Sequence, residues 1–224
     1  MAMQRARRVV VAALLSLAGG LVVTGCRSEP GVAVYVGGVR YTQEGVDRIV
    51  NPAEARKDAA VTVSPQWVVR LIVTRDLARQ LAAEKNLTVE PIDVSGVLNM
   101  KADDEYARLW TEVLSLEQAL QRAVPPAEAT DDDLRRFYQA GVASGLFRPD
   151  VPLDVVREEL NGPELSALFG LRKAIDDAVQ SRHVTVNPRF APLAMPLLVR
   201  NGGQLFQLAV PFPVDTTTGV RDSA

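Results

Sequence analysis

Apolar positions along the chain follow strand spacing at its two ends and helix spacing in the middle. Val32-Ala33-Val34-Tyr35-Val36 and Val39-Arg40-Tyr41 are short, β-branched-rich runs flanking Gly37-Gly38, which predicts a tight hairpin. Thr42 then stands where a helix cap belongs, and Val46, Ile49 and Val50 follow at helical spacing. Asn51 to Val63 is polar and Ala-rich and reads as a loop. Ser64-Pro65 opens a long helix reaching to about Asn86, since Pro suits the first helical position. Its apolar face (Trp67, Leu71, Ala78, Leu81) is widened by Val69, Val73 and Leu77, so it predicts burial on more than one side.

A short helix within Ile92–Met100 precedes a stronger one over Asp103–Ala123, stopped by Pro125-Pro126. Thr130 caps the next, with Asp131, Asp132 and Asp133 in its first turn, where negative charge suits the helix dipole. Gly141 to Pro152 reads as a loop and Leu153 to Leu160 as a short helix. After a break at Asn161-Gly162-Pro163, Glu164 to Arg182 is helical again. Strand spacing returns at His183-Val184-Thr185-Val186. A second hairpin is predicted where Leu197–Val199 and Leu205–Val210 flank Asn201-Gly202-Gly203. The pattern predicts a mostly α fold over residues 32–213: a helical domain closed by one small β-sheet that joins the N- and C-terminal strands.

The first residues follow a different logic. Arg5, Arg7 and Arg8 precede an uncharged run from Val9 to Gly25, the layout of a secretory signal peptide over residues 1–25. The run is short for a membrane span and contains Ser16, Gly19 and Gly20. It ends in Val23-Thr24-Gly25-Cys26, which resembles the lipobox of bacterial lipoproteins. That resemblance implies a diacylglyceryl group on the Cys26 thiol and cleavage after Gly25. Cys26 is the single cysteine of the chain. Residues 26–31 then read as a lipidated N-terminus and linker, and residues 214–224 as a disordered tail with nothing to bury.

Composition narrows the chemistry. The 224 residues are 47% hydrophobic and 23% charged, enough to build a core. With 25 basic against 27 acidic side chains there is no positive excess for a phosphate backbone, so no nucleic-acid partner is expected. Residues 1–25 hold three arginines and no acid, so the remainder carries 22 basic and 27 acidic side chains, a formal charge of −5. Such a domain is expected to stand off an anionic membrane and to meet it through the lipid alone. One Cys and one His leave no thiolate cluster and no multi-histidine site, so neither cofactor nor metal is expected.

The order of several short patches resembles the N-terminal substrate-binding module of SurA-type extracytoplasmic chaperones. Val34-Tyr35-Val36-Gly37-Gly38-Val39-Arg40-Tyr41-Thr42 with Val46-Asp47 is similar to that family's opening strand, turn and helix. Val69–Val89 looks like its long second helix, and Thr130-Asp131-Asp132-Asp133-Leu134-Arg135-Arg136-Phe137-Tyr138 like its "T-D-x-E-L-x-x-Y-Y" helix. Val184-Thr185-Val186-Asn187-Pro188-Arg189-Phe190 looks like the "V-N-P-R-Y-G" strand of actinobacterial lipoproteins of this type, with Ala191 in place of the Gly. The Leu197–Val210 hairpin has no counterpart in this resemblance. It implies a membrane-anchored, extracytoplasmic lipoprotein that binds unfolded or extended segments of secreted polypeptides without ATP. The alternative is an assembly or scaffolding lipoprotein with one folded partner. Prolyl isomerase activity is not expected, because one module already fills the chain and parvulin sites use paired histidines.

Other candidate chemistry is bland. His183 follows Arg182 at a helix-to-strand junction, an ordinary place for a cation, and no Gly-x-Ser-x-Gly elbow accompanies it. Asp103-Asp104-Glu105 and Asp131-Asp132-Asp133 sit at helix starts and lack the spacing of a calcium loop. Most aromatics take inward helix positions and read as core. Trp67 and Phe147, near helix and loop edges, are the candidates for a peptide-binding groove.

Overall fold

The computed structural model describes residues 31–56, 58–159, 163–201 and 203–213. The signal segment, the lipobox with Cys26 and the tail from 214 lie outside the described residues.

β1 (Val32–Val36) and β2 (Val39–Thr42) form the expected hairpin, with Val36 opposite Val39. Gly37 takes a φ of 58°, a turn conformation that glycine adopts without cost. β3 (Thr185–Val186) pairs antiparallel with the other edge of β1, giving the order β2-β1-β3. The two ends of the domain are thus joined through β1, as the pattern predicts. Asn187, fully buried, reinforces the join: its backbone N–H donates to the Ala33 carbonyl at 3.0 Å and its Nδ2 to the Val32 carbonyl at 3.1 Å.

One sheet is not the whole account. β4 (Ala194–Asn201) and β5 (Gln204–Pro211) form a separate two-stranded antiparallel sheet. This corrects the single-sheet expectation. β3 is only two residues long, and Pro188–Phe190 turns the chain through a 3-10 helix before β4 begins. The hairpin then packs on helices instead, β4 against the helix over Pro65–Glu84 and β5 against the helix over Asp131–Ser144.

α1 (Gln43–Glu54) is capped by Thr42, whose hydroxyl accepts from the Gly45 N–H. It runs further than expected, with Pro52 inside its last turn. The stripe of Val46, Ile49 and Val50 continues to buried Ala53, and that burial outweighs the bond Pro cannot make. α2 (Pro65–Glu84) starts at Ser64 as expected, and Trp67, Val68, Val69, Leu71, Ile72, Val73, Leu77 and Ala78 are all buried. Burial around most of its circumference makes it the central helix, packed by α1, β1, β4 and the helices over Glu105–Ala123 and Pro163–Ser181.

Of Ile92–Met100 only α3 (Ser95–Leu98) is helical, ended by Asn99 in the left-handed region at φ 54°. Before it, the Ile92 and Val94 N–H groups donate to Ser115 and Thr111, so the segment runs along α4 (Glu105–Ala123) instead of coiling. α5 (Asp131–Ser144) begins in a capping box between Thr130 and Asp133. It passes through Gly141, which had marked a loop start, and stops at Gly145 with φ 80°. α6 (Leu153–Glu159) and α7 (Pro163–Ser181) follow. The break expected at Asn161-Gly162 lies outside the described residues, and His183 is a turn residue with φ 51°, not a strand residue.

Candidate functional site

Trp67 lies in the first turn of α2, where its backbone N–H donates to the capping Ser64 hydroxyl. The indole is 9% exposed. One side packs near Trp110 of α4, with ring centroids 6.1 Å apart. The ring also lines a cleft of ≈ 330 Å³, with Ala60 to Thr62, Ala143 and Ser144 of α5, and Leu205 to Gln207 of β5.

Three residues are hydrogen-bonded to one another beside this cleft. The Thr62 N–H donates to Gln207 Oε1 at 2.7 Å. The Tyr106 hydroxyl donates to the Thr62 carbonyl at 3.1 Å, and Gln207 Nε2 donates to the Tyr106 oxygen at 3.2 Å. Both backbone groups of Thr62 are therefore held by side chains, not by a strand ladder. The α1–α2 connection is thus tied to β5 through the Gln207 side chain. Burial pushes the Tyr106 hydroxyl above its ordinary pKa, offset in part by hydrogen bonds from its neighbours, so it stays a proton donor.

Arg70, one turn after Trp67, lays its guanidinium over the Trp67 ring at 5.2 Å from the centroid. Burial lowers its affinity for its proton, Nε is buried without a partner, and among the described residues no carboxylate lies within salt-bridge distance.

Phe147 occupies a neighbouring cluster and does not line the cleft. It stacks on Tyr138 at 6.0 Å with 14° between planes and lies 6.1 Å from Phe137, which meets Phe169 edge-on at 6.3 Å. The ring covers Gly141 so closely that a Cβ there would fall 2.1 Å from Phe147 Cδ2. That contact explains why the helix runs through a glycine: Gly141 makes room for the aromatic that follows the turn. The structure thus places Trp67 at a cleft and Phe147 in a packed, half-buried aromatic layer. It does not bring them into one groove.

No family model, curated protein or solved structure matches this chain. The site stands on its own geometry.

Asp131-Asp132-Asp133 is neutralised locally, and in the other acidic run Asp104 is paired. Asp131 pairs with Arg157, Asp132 with Arg135 and Arg136, and Asp133 with Arg172. Asp104 pairs with Arg56 at 2.9 Å. Among the described residues no group of three or more His, Cys, Asp or Glu is placed to hold a metal ion. No described helix is long and apolar enough to cross a membrane.

Sequence reasoning missed Gln207, Tyr106, Thr62 and Arg70. A faint signal existed for two of them. Gln207 is the one amide inside the apolar run Leu205–Val210, and Arg70 interrupts the apolar stretch from Trp67 to Val73.

Proposed function

We propose that this chain is a lipid-anchored extracytoplasmic module that binds extended segments of unfolded or secreted polypeptides in the Trp67 cleft, without ATP and without isomerase activity. The observation that carries the reading is the cleft itself, open to solvent between the Ala60–Thr62 segment and β5, with an indole in its wall. An extended backbone fits such a space because a strand edge such as that of β5 offers hydrogen bonds while an aromatic takes a side chain. The signal-like opening and the lipobox-like Val23-Thr24-Gly25-Cys26 support tethering at the outer face of the cell membrane, where secreted chains emerge. Two or more acyl chains hold a protein stably where one does not.

A second reading is favoured by one further observation. The large exposed apolar side chains among the described residues are Val39, Val89, Val97 and Val155, on four separate segments. A general holdase is expected to show a contiguous apolar patch. A scaffold for one folded partner needs only local complementarity.

The test uses the full chain in mild detergent and fluorescein-labelled extended peptides followed by anisotropy. Ala143 is exposed at the cleft wall, so Ala143→Phe plugs the cleft without entering the core. Saturable binding by the native chain and a loss of at least about tenfold in the plugged variant is the expected result, since tenfold is a modest change in binding free energy. Binding indifferent to the plug, or absent altogether, defeats the cleft reading. Suppression of light scattering from several unrelated aggregating proteins would favour the general over the dedicated form.

A further inference from the structure

The two outer edges of the β4–β5 hairpin differ. The Phe212 N–H donates to the Leu193 carbonyl at 3.2 Å, directly beyond the facing pair Ala194 and Pro211. Bonded and non-bonded pairs alternate along an antiparallel ladder. Phe206, Leu208 and Val210 therefore turn their backbone groups to β4, while Leu205, Gln207, Ala209 and Pro211 turn theirs away. On β4 the residues turned away are Ala194, Pro196, Leu198 and Arg200. Pro196 interrupts that edge, since it has no N–H to offer. Pro211 ends the β5 edge in the same way, and its carbonyl accepts from Arg172 Nη2 at 2.8 Å.

The β5 edge before Ala209 is unpaired. No strand lies on that side of β5. Among the described residues no loop backbone or side chain bonds to the outward N–H or C=O of Leu205 or Gln207. Both residues line the Trp67 cleft, and α5, which runs beside β5, contributes only its last two residues, Ala143 and Ser144, to it. The opposite wall does not pair with this edge, because the Thr62 N–H bonds to the Gln207 side chain and the Thr62 carbonyl to Tyr106.

We propose that β5 takes its ligand by strand addition: an extended polypeptide segment in the Trp67 cleft exchanges backbone hydrogen bonds with Leu205 and Gln207, so the site selects segments with free backbone N–H groups and rejects proline. This rests on the peptide-binding reading above. The two outward residues offer two donors and two acceptors one strand repeat apart, a pattern that the backbone of any proline-free extended segment complements. The occupant is a single chain. A cleft of ≈ 330 Å³ lies at the small end of ligand sites. The β5 edge of a second copy would have to bring its own β4 and helices with it. Recognition through the backbone leaves the side chains of the bound segment free to vary.

The experiment uses the full chain in mild detergent and two labelled heptapeptides of one apolar sequence with both ends blocked. One is unmodified and the other is N-methylated at every internal residue. Anisotropy reads affinity, and hydrogen exchange followed by NMR reads single amides. The unmodified peptide is expected to slow exchange of the Leu205 and Gln207 N–H groups by at least about tenfold, while those of Phe206 and Leu208, already bonded to β4, change little. The methylated peptide is expected to bind at least about tenfold more weakly. Leu205→Pro removes an outward donor and no ladder bond, a substitution of the kind the hairpin already carries at Pro196 and Pro211. It is expected to weaken the unmodified peptide about tenfold, and Leu205→Ala, which keeps the donor, by less than about threefold. Thermal melting shows whether each variant folds, and the exchange measurement on the native chain decides the question without them. Binding that leaves both amides exchanging as before overturns strand addition and leaves the cleft reading standing. Equal losses in the two folded Leu205 variants, or equal affinity for the two peptides, overturn it as well. Slow exchange of these amides in the free chain that deepens with protein concentration overturns the single-chain occupant in favour of a second copy. Absence of binding by the unmodified peptide overturns both readings together.

Discussion

Two buried ionisable groups, Arg172 on α7 and Glu117 on α4, are handled in opposite ways. Arg172 is 5% exposed; its Nε is buried without a partner, but both terminal nitrogens are bonded. One nitrogen donates to Asp133 at the start of α5, and another donates to the Pro211 carbonyl at the end of β5 at 2.8 Å. Glu117 is 3% exposed, one of its oxygens is buried without a partner, and no cation among the described residues pairs with it. Burial alone pushes its carboxyl up to about 8. The fold therefore keeps one charge by supplying its complement and removes the other by protonation. The first arrangement ties three elements together. The second leaves a carboxylic acid in an apolar helix interface, where its cost depends on pH.

Breaking the paired group gives the largest effect. Replacing Asp133 by Ala leaves the Arg172 charge buried and removes the side chain that completes the α5 capping box. A loss of about 3–5 kcal/mol is expected for a buried pair broken on one side. Arg172→Met should cost less, because Asp133 is 28% exposed at its side chain and keeps its bonds to Thr130. Urea unfolding of both variants checks the ordering. An Arg172→Met loss equal to or larger than that of Asp133→Ala would show that the Pro211 contact, not charge compensation, dominates this junction.

The unpaired group is tested by pH. The folded-state value of Glu117 lies above the unfolded one, so the unfolded chain gives up this proton first as pH rises. Stability should then fall between about pH 4.5 and 8 and level off above that, by on the order of a few kcal/mol. Glu117→Gln removes the titration. Its stability relative to the native chain should grow steadily across that window and be smallest near pH 4.5. Chemical unfolding at three pH values decides the matter, and a difference that does not change with pH would mean that Glu117 stays ionised in the folded protein across that window.

These positions also show how far a sequence speaks. The helices over 65–84 and 105–123 and the start of the one over 131–144 were legible from apolar spacing, with capping residues marking the entries at Ser64-Pro65 and Thr130, whereas Gly141 hid the last turn of the third. The join of β1 to β3 was legible because isolated strands at two chain ends need a partner. Whether β4 and β5 would extend that sheet was not, because the 3-10 turn at Pro188–Phe190 redirects the chain by local geometry that strand spacing does not encode. At the candidate site, Trp67 was legible as a helix-edge aromatic. Its neighbours were not, because Thr62, Tyr106 and Gln207 meet only after folding across 44 and 101 positions of chain. Glu117 and Arg172 did carry a hint. Glu117 falls four residues after Val113 and three before Leu120, and Arg172 three after Phe169 and three before Ile175, so both sit on inward helical faces.

The smallest effect sharpens the contrast most finely. Thr130 accepts from the Asp133 N–H at 3.1 Å and donates its hydroxyl to Asp133 Oδ2 at 2.7 Å, while its own N–H donates to the same oxygen. Burial by itself would raise the Asp133 carboxyl, but these bonds and the nearby Arg172 charge outweigh it and hold the group below the ordinary carboxylate range. Its sign is the reverse of that of Glu117. Stability from Asp133 is present above the unfolded value and is lost as pH falls through the lower folded one. Thr130→Ala should cost about 1 kcal/mol at neutral pH, as for other lost helix caps. It should also move the acid unfolding of the protein to higher pH, because Asp133 loses the hydroxyl that stabilises its charged form. Thr130→Ser keeps the hydroxyl and should restore both. Acid titration followed by circular dichroism reads the shift. A Thr130→Ala variant that loses stability equally at every pH would assign the whole contribution of Thr130 to capping the helix and leave Arg172 as the group that keeps Asp133 ionised.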